Sequence, residues 1–370
     1  MTRNRALLAG FYPPPFAGEP IHVKQLAQFL RGRGLVVEIL NLNRHARPSP
    51  EYHSSTGRWA LLWKLFSLAG RTSLLHLHTN GHSPKSWLLI LVASLAARLR
   101  GTSVVLTLHS GLLPGYVARF GRVRQGLARW ILGSFARVVC VNREIGGAVE
   151  RLGIPGGHIA IIPAFLGVGS LGELAPADQA LIRDFRPVVV AVAGGEHDPE
   201  RGLVVVLQAV RDLVASTPRL GVVLMGWQVG PKVRPLIEEL GLTQRAVCLG
   251  EVPHDRCLAF LRAGDVVVRS TFVDGDAITV REALSMDVPV VASDTDFRPP
   301  GVTIFRKGDV ADLVAKLRLV LAAPGRSTTA SRPLQDQAAT DLWRLYSDLG
   351  RSGSDPASLL RPPQRPAASR

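Results

Sequence analysis

The chain has 370 residues, 46% of them hydrophobic, and a formal net charge of +15; that length suits two α/β domains, each with its own core. No apolar run reaches the ~18 residues needed to cross a bilayer, which excludes a membrane-spanning helix. Three cysteines, Cys140, Cys248 and Cys257, form no CxxC pair, and so few of them fit the pattern of a reduced, cytosolic protein, the setting expected here.

Met1 to Gly10 runs straight into a first apolar strand, ALLAGFY, and no signal peptide is expected. FYPPPFAGEPIHV follows, with Gly18 and Pro20 where a helix should begin; free N–H groups at a helix start attract phosphate. IHVKQLAQFLRGRG carries apolar residues at Ile21, Leu26, Phe29 and Leu30 and closes on Gly32 and Gly34, a helix stop. LVVEILNL, SLLHLHT, TSVVLTLH and ARVVCVN read as further strands with helices between them. Trp87 to Ala97, an 11-residue stretch that is apolar but for Ser94 and ends before Arg98 and Arg100, reads as a buried helix. RPVVVAVAGG, LGVVLMGW, AVCLGEV, DVVVRST and VPVVASD repeat the strand pattern in the second half. GLVVVLQAVRDLVAS, VRPLIEELG, DRCLAFLRAG and TVREALSM are its helices. Continuous rather than alternating apolar strands argue for parallel sheets covered on both faces. The fold class expected is α/β, with two Rossmann-like doubly wound domains facing a cleft.

The expected boundary lies near Pro163 to Gly172. It gives a basic first domain over 1–165, completed by a last helix at 341–350, and a second domain over 166–340. A tail from Arg351, poor in groups to bury, is expected to be disordered.

Charge is one-sided. Residues 1–165 hold 20 Lys+Arg against 5 Asp+Glu, whereas residues 166–370 hold 24 of each. Such asymmetry points the first half toward something anionic. Two helical stretches carry it. RFGRVRQGLARWILGSFAR has Arg119, Arg122, Arg124, Arg129 and Arg137 interleaved with apolar residues, and RWALLWKLFSLAGR at 58–71 has the same character. Both suit a helix lying on an anionic membrane surface or an ordinary helix with its apolar face on the sheet and its charged face in water; the one-sided charge favours the membrane surface. No recognised nucleic-acid module is present, and nucleic acid is not the expected partner.

Three histidines, His76, His78 and His82, cluster in HLHTNGH, and two of them share a strand face at a spacing that suits zinc. No acid between residues 52 and 143 completes the set, so core or strand-end histidines are expected and no metal. His109 ends a strand ahead of Ser110 and Gly111, placed to meet a substrate hydroxyl or to cap the strand. AVAGGEHDPERG sets Gly194 and Gly195 after a strand and Arg201 at a helix start, placed either to neutralise a diphosphate or as a surface arginine near a cap. FVDGDAITVREALS places Asp274 on a loop and Glu282 one turn inside a helix. The N–H groups of Ala277, Ile278 and Thr279 lie between them, and Asp276 is expected as the helix cap.

These residues, in this order, resemble the glycosyltransferase family 4 group of GT-B enzymes. The family hallmark is an acid, seven residues, then Glu, followed by Ala and a G-x-P-V-V-A strand; here it stands as Asp274 to Glu282, AL and DVPVVAS. PPPFAGEPIHVKQLAQFLRGRG is similar to the amino-terminal glycine loop and first helix, TLHSG to the central His strand, and ERGLVVVLQAV to the segment that meets the donor diphosphate. The resemblance implies retaining transfer of a hexosyl or N-acetylhexosaminyl unit from a UDP- or GDP-sugar to a hydroxyl of a lipid-linked, polysaccharide or glycolipid acceptor. It implies Glu282 on the ribose, Asp274 on donor-sugar hydroxyls and His109 beside the reacting centre. Gly18, Gly194, Gly195, Arg201, Ile278 and Thr279 would hold the donor, with no metal or other cofactor. Arg119, Arg122, Arg124 and Arg129 would face the acceptor or membrane, at the cytoplasmic face. A nucleotide-sugar epimerase of similar fold and a binding homologue without turnover are the alternatives.

Overall fold

A computed structural model describes residues 4–54, 57–164, 167, 172–193, 199–226, 229–295, 297–323 and 332–352. The chain divides into two units: Met1–Pro14, Glu19–Leu166 and Asp336–Arg370 form the first, Pro15–Gly18 and Gly167–Gln335 the second.

The first elements in chain order are β1 (Arg5–Gly10), α1 (Gly18–Gly32), β2 (Val36–Asn41), α2 (Arg58–Ala69), β3 (Leu74–Thr79), α3 (Pro84–Arg100), β4 (Ser103–Leu108), α4 (Leu113–Val117), α5 (Arg122–Leu132), β5 (Arg137–Cys140), α6 (Arg143–Arg151) and β6 (Ile159–Ile161). After them come α7 (Pro176–Ile182), β7 (Val188–Val192), α8 (Pro199–Val214), β8 (Gly221–Met225), α9 (Val229–Glu239), β9 (Ala246–Gly250), α10 (His254–Ala263) and β10 (Val266–Arg269). The chain closes with α11 (Ile278–Ser285), β11 (Val290–Ser293), β12 (Thr303–Phe305), α12 (Val310–Ala322) and α13 (Arg332–Ser352).

Each unit holds one six-stranded parallel sheet. The first runs β2-β1-β3-β4-β5-β6 and the second β12-β11-β10-β7-β8-β9. The long apolar runs are explained by burial on both faces: all six residues of β3, LLHLHT, are buried.

Crossover handedness sorts the helices of the first unit. The step from β1 to β2 moves one way along the sheet and the steps from β2 through β5 move the other. Right-handed connections therefore put α1 on one face and α2, α3 and α5 on the opposite one. Packing agrees: Val23, Leu26, Ala27 and Leu30 of α1 share a core with Ala6, Leu8, Val105 and Val139, and with Ala338, Leu342, Leu345 and Tyr346 of α13. On the other face α3 packs against both α2 and α5. Ser83 Oγ accepts the Ser86 N–H to start α3, Pro84 fills its first position, and Gly101 ends it at φ 65°, a left-handed conformation that glycine adopts without steric cost.

One expectation changes here. Trp87 to Ala97 does not lie in a helix buried all round: α3 buries Ile90, Ala93, Ser94, Ala96 and Ala97 but leaves Leu88, Leu95 and Leu99 exposed. The tail beyond Ser352 lies outside the described residues, and Arg351 and Ser352 themselves continue α13. No helix among the described residues is long and apolar enough to cross a membrane.

The second sheet is sandwiched likewise. Leu203, Val206 and Val210 of α8, Ile237 of α9, and Leu313 and Leu317 of α12 cover one face. Phe260 and Leu261 of α10 and Val280 and Ala283 of α11 cover the other.

Candidate functional site

In the second sheet the strand order turns between β7 and β10. Connections leave in opposite directions at such a point, and the loops beyond the carboxyl ends of the strands part to leave a crevice for a ligand. The start of α8, after β7, and the loop 271–277, after β10, both lie here. Ser270 Oγ donates to Gly202 O at 2.7 Å, tying the two segments together.

Asp274 occupies this loop and is enclosed by cations. Arg269, the last residue of β10, donates to both carboxylate oxygens, from Nε at 3.0 Å and Nη2 at 2.9 Å. Arg298 Nη1 adds a bond of 2.8 Å and the Thr271 hydroxyl one of 2.7 Å. The Asp274 side chain is 8% exposed, and those of its arginines 8% and 4%. Burial pushes the Asp274 carboxyl up, but the charges and hydrogen bonds of Arg269 and Arg298 outweigh it and hold the group well below the usual carboxylate range. With Asp276 and Arg281 counted in, three guanidinium groups meet two carboxylates around the loop, a surplus of one positive charge among the described residues.

Asp276 is not the cap of α11. The N-cap position is Ala277, with no side-chain hydrogen bond, and Asp276 pairs instead with Arg281 Nε at 2.6 Å, both side chains being buried. An arginine one turn ahead offers a buried carboxylate a full charge, where the helix start offers only partial ones.

Glu282 stands in the second turn of α11, almost completely buried, and accepts a hydrogen bond from His254 Nε2 at 2.6 Å. His254 opens α10, so two helices meet at one carboxylate. Ile278 and Thr279 form the first turn of α11, where backbone N–H groups have no intrahelical acceptor. Gly18, in the second unit, lies near them: a Cβ built on it would stand 4.0 Å from Ile278 Cδ1, an ordinary contact. Arg201 falls in the first turns of α8, its side chain outside the described part of the structure. Gly194 and Gly195 lie outside the described residues.

The first unit gathers four histidines around β3 and β4. His76 and His78 share one face of β3, and His78 Nδ1 lies 3.2 Å from His109 Nε2. His76 Nε2 meets the Thr107 hydroxyl at 2.6 Å, and its Nδ1 meets the Tyr346 hydroxyl of α13. His22, reaching in from α1, donates from Nδ1 to Ala164 O, which leaves its Nε2 as the lone-pair nitrogen. Burial pushes all four imidazoles down, His22 to about 4. The rings are therefore neutral at pH 7.

His22, His78 and His109 bring ring nitrogens within 4.8 Å of one another. That trio of neutral imidazoles is spaced to hold a divalent cation. It is not the His76, His78, His82 group considered from the sequence. His22 is the member sequence reasoning missed, and the only signal was a lone polar residue between Ile21 and Val23 on the buried side of a helix. His254, Arg269 and Arg298 were missed as well. Arg119, Arg122, Arg124 and Arg129 are all exposed, the last three on α5.

Two family models and the curated relatives point to one family. A model described as a glycosyl transferase 4-like domain matches residues 18–164, and one described as glycosyl transferases group 1 matches residues 186–323. The 2-deoxystreptamine N-acetyl-D-glucosaminyltransferase of Streptomyces fradiae is 28% identical over 319 residues, covering 77% of this chain and 69% of that protein. The phosphatidyl-myo-inositol mannosyltransferase of Mycobacterium leprae is 27% identical over 320 residues, covering 80% and 79%. Anabaena HepE, crystallised with UDP and glucose, superposes with a TM-score of 0.67 at 17% identity over 94% of this chain and 98% of its own, a likeness of fold. The paired sheets, the two matched domains and these relatives place the chain in the glycosyltransferase family 4 group of GT-B glycosyltransferases.

Proposed function

We propose that the chain moves a hexosyl or N-acetylhexosaminyl unit, with retention at the anomeric carbon, from a UDP- or GDP-sugar to a hydroxyl of a lipid-linked, polysaccharide or glycolipid acceptor. The second unit binds the donor and the basic first unit the acceptor, at the cytoplasmic face of a membrane and without nucleic acid. The reading is carried by Glu282 and the Asp274 loop, which frame the first turn of α11 where the second strand order turns. A helix start and surplus guanidinium charge suit a diphosphate. The UDP held by HepE supports a UDP-linked donor, and the mannosyltransferase named for phosphatidyl-myo-inositol supports a lipid-borne acceptor.

In this reaction the bond from the anomeric carbon to the diphosphate breaks and its electron pair leaves with the nucleotide. A new bond forms to the acceptor oxygen on the same face of the sugar. The acceptor's proton passes to the departing phosphate oxygen, so no separate base is required. Backbone N–H groups of Ile278 and Thr279, with Arg201, stabilise the leaving charge in place of a metal.

Incubating the protein with radiolabelled UDP- and GDP-sugars and membrane lipid, with and without EDTA, tests this. Labelled lipid or glycan should form, with the α-configured donor giving an α-linked product, and EDTA should leave the rate unchanged. Absence of both transfer and donor hydrolysis would overturn catalysis. A second reading, a nucleotide-sugar-binding homologue without turnover, is favoured by one observation: Asp274, expected on donor hydroxyls, is already saturated by Arg269, Arg298 and Thr271. It calls for calorimetric donor binding in the absence of any product.

A further inference from the structure

The outer surface of α2, α3 and α5 carries apolar side chains where a soluble helix carries polar ones. On α2, Trp59 and Trp63 are 84% and 71% exposed, one turn apart, while Leu65, Leu68 and Ala69 of the same helix are buried. On α3 the exposed residues are Leu88, Leu95 and Leu99, and on α5 they are Val123, Leu127 and Trp130. Each set recurs at three-, four-, seven- or eleven-residue steps, which puts it on one side of its helix. The three helices are neighbours on a single face of the first sheet, α3 between the other two. The stripes therefore form one surface.

Charge on these three helices has one sign. Lys85, Arg98, Arg100, Arg122, Arg124 and Arg129 are exposed on α3 and α5, and no acid occurs from residue 52 to residue 143. Arg100 stacks over Phe66, its guanidinium carbon 4.9 Å from the ring centroid, joining α3 to α2. Between α3 and α5 runs a groove of about 410 Å³ lined by Arg98, Gly126, Arg129, Trp130, Gly133 and Ser134. Two arginines and an indole at its walls offer a phosphate both charge and an amphipathic edge.

We infer that this face docks on an anionic phospholipid bilayer, with Trp59, Trp63 and Trp130 seated at the headgroup level and the Arg98–Arg129 groove over a lipid phosphate. Trp favours the membrane–water interface. Apolar stripes beneath a basic rim are the pattern of a surface that lies in that interface. A second copy of this chain fits poorly, because two-fold pairing sets the same arginines against one another. A nucleic acid would leave the aliphatic stripes of α3 and α5 uncovered. The inference rests on the reading that the acceptor is membrane-borne, and it names the elements that meet the lipid.

Vesicle flotation of the purified chain, with no donor added, tests docking apart from transfer. Vesicles of phosphatidylcholine with 30% phosphatidylglycerol, as a chosen probe, should carry the protein up, and phosphatidylcholine alone should not. Raising the salt to 1 M should release it. Arg122→Gln with Arg124→Gln should weaken partitioning about 30-fold, on the order of fivefold per arginine. Brominated lipid should quench tryptophan fluorescence, and Trp59→Phe with Trp63→Phe should remove part of that quenching. Equal binding to neutral vesicles, or none to either, overturns the inference. So does a dimer that Trp59→Ser with Trp63→Ser dissolves, or nucleic acid that competes the vesicles off. Docking without transfer would sink only the transferase reading; transfer to a soluble acceptor without docking would sink only this one.

Discussion

His254 Nε2 stands 2.6 Å from Oε1 of Glu282, a carboxylate with 1% of its side chain exposed. The histidine fixes the orientation of the acid proposed to hold the donor ribose, so it is a positioning residue and not a catalytic one. His254→Ala leaves the carboxylate buried without this donor, a loss of roughly 1–3 kcal/mol. Donor KM should rise about tenfold or more while kcat falls less, and His254→Gln, which keeps an N–H at a similar reach, should restore much of the affinity. Steady-state kinetics with varied donor provides the check. Equal loss in kcat and no change in KM would show that His254 does not act through donor binding.

Asp274 is expected to matter first for folding. Its two arginine partners are as buried as it is, and removing one member of such a cluster leaves uncompensated charge costing about 3–5 kcal/mol. Asp274→Ala should therefore lower the melting temperature sharply, and adding Arg298→Met should recover part of the loss. Thermal melts of the single and double variants measure it. A single variant as stable as the parent would mean that the carboxylate is free to serve the ligand. Loss of activity in Asp274→Ala alone says nothing about sugar contact unless the melt is unchanged.

The two parallel sheets were legible because buried parallel strands are written as uninterrupted apolar runs, LLHLHT and VVVAV among them. The strands β6 and β12 were not, since each has three residues and is partly exposed, too little to set a pattern. The spacing from Asp274 to Glu282 could be read along the chain, whereas their partners could not. Arg298 is 24 residues from Asp274 and His254 is 28 from Glu282, distances that only the fold closes. Asp276 was misjudged by a local rule: an acid before a helix suggests a cap, but Arg281 inside the helix competes for it and wins. On α3 the apolar composition hid which side faces the sheet, because Leu88 and Leu99 look no different in sequence from Ile90.

Two glycines should separate stability from binding. A Cβ on Gly202 would come within 2.4 Å of the Ser270 carbonyl oxygen, a backbone atom that cannot swing aside. Gly202→Ala should destabilise the second unit by about 1–3 kcal/mol through overpacking. On Gly18 the nearest heavy atom would be Ile278 Cδ1 at 4.0 Å, so Gly18→Ala should leave stability within about 0.5 kcal/mol. If the donor diphosphate approaches that backbone, the same methyl should raise donor KM severalfold. Paired melts and donor titrations decide: an unchanged donor affinity in Gly18→Ala removes Gly18 from the site, and an unchanged melt in Gly202→Ala contradicts the close approach of α8 to β10.

The buried imidazoles make stability depend on pH. His22, His76, His78 and His109 are held below the ordinary value of 6.5, chiefly by burial, and for the last three also by neighbouring imidazoles. Below about pH 6.5 the unfolded chain takes up protons that the folded chain refuses. Stability is therefore fully present above that value and is lost as pH falls. For His22, held at about 4, the loss by pH 4 is on the order of 3 kcal/mol. Asp274 adds a loss of the same sign only below about pH 4, where its unfolded counterpart protonates. The melting temperature should be level from pH 8 to pH 7 and should drop steadily from pH 6.5 to pH 4.5. His22→Asn, which can keep the bond to Ala164 O but cannot take a proton, should flatten that drop. A melt that holds level or rises through this window would show that the cluster is charged or hydrated in the folded protein.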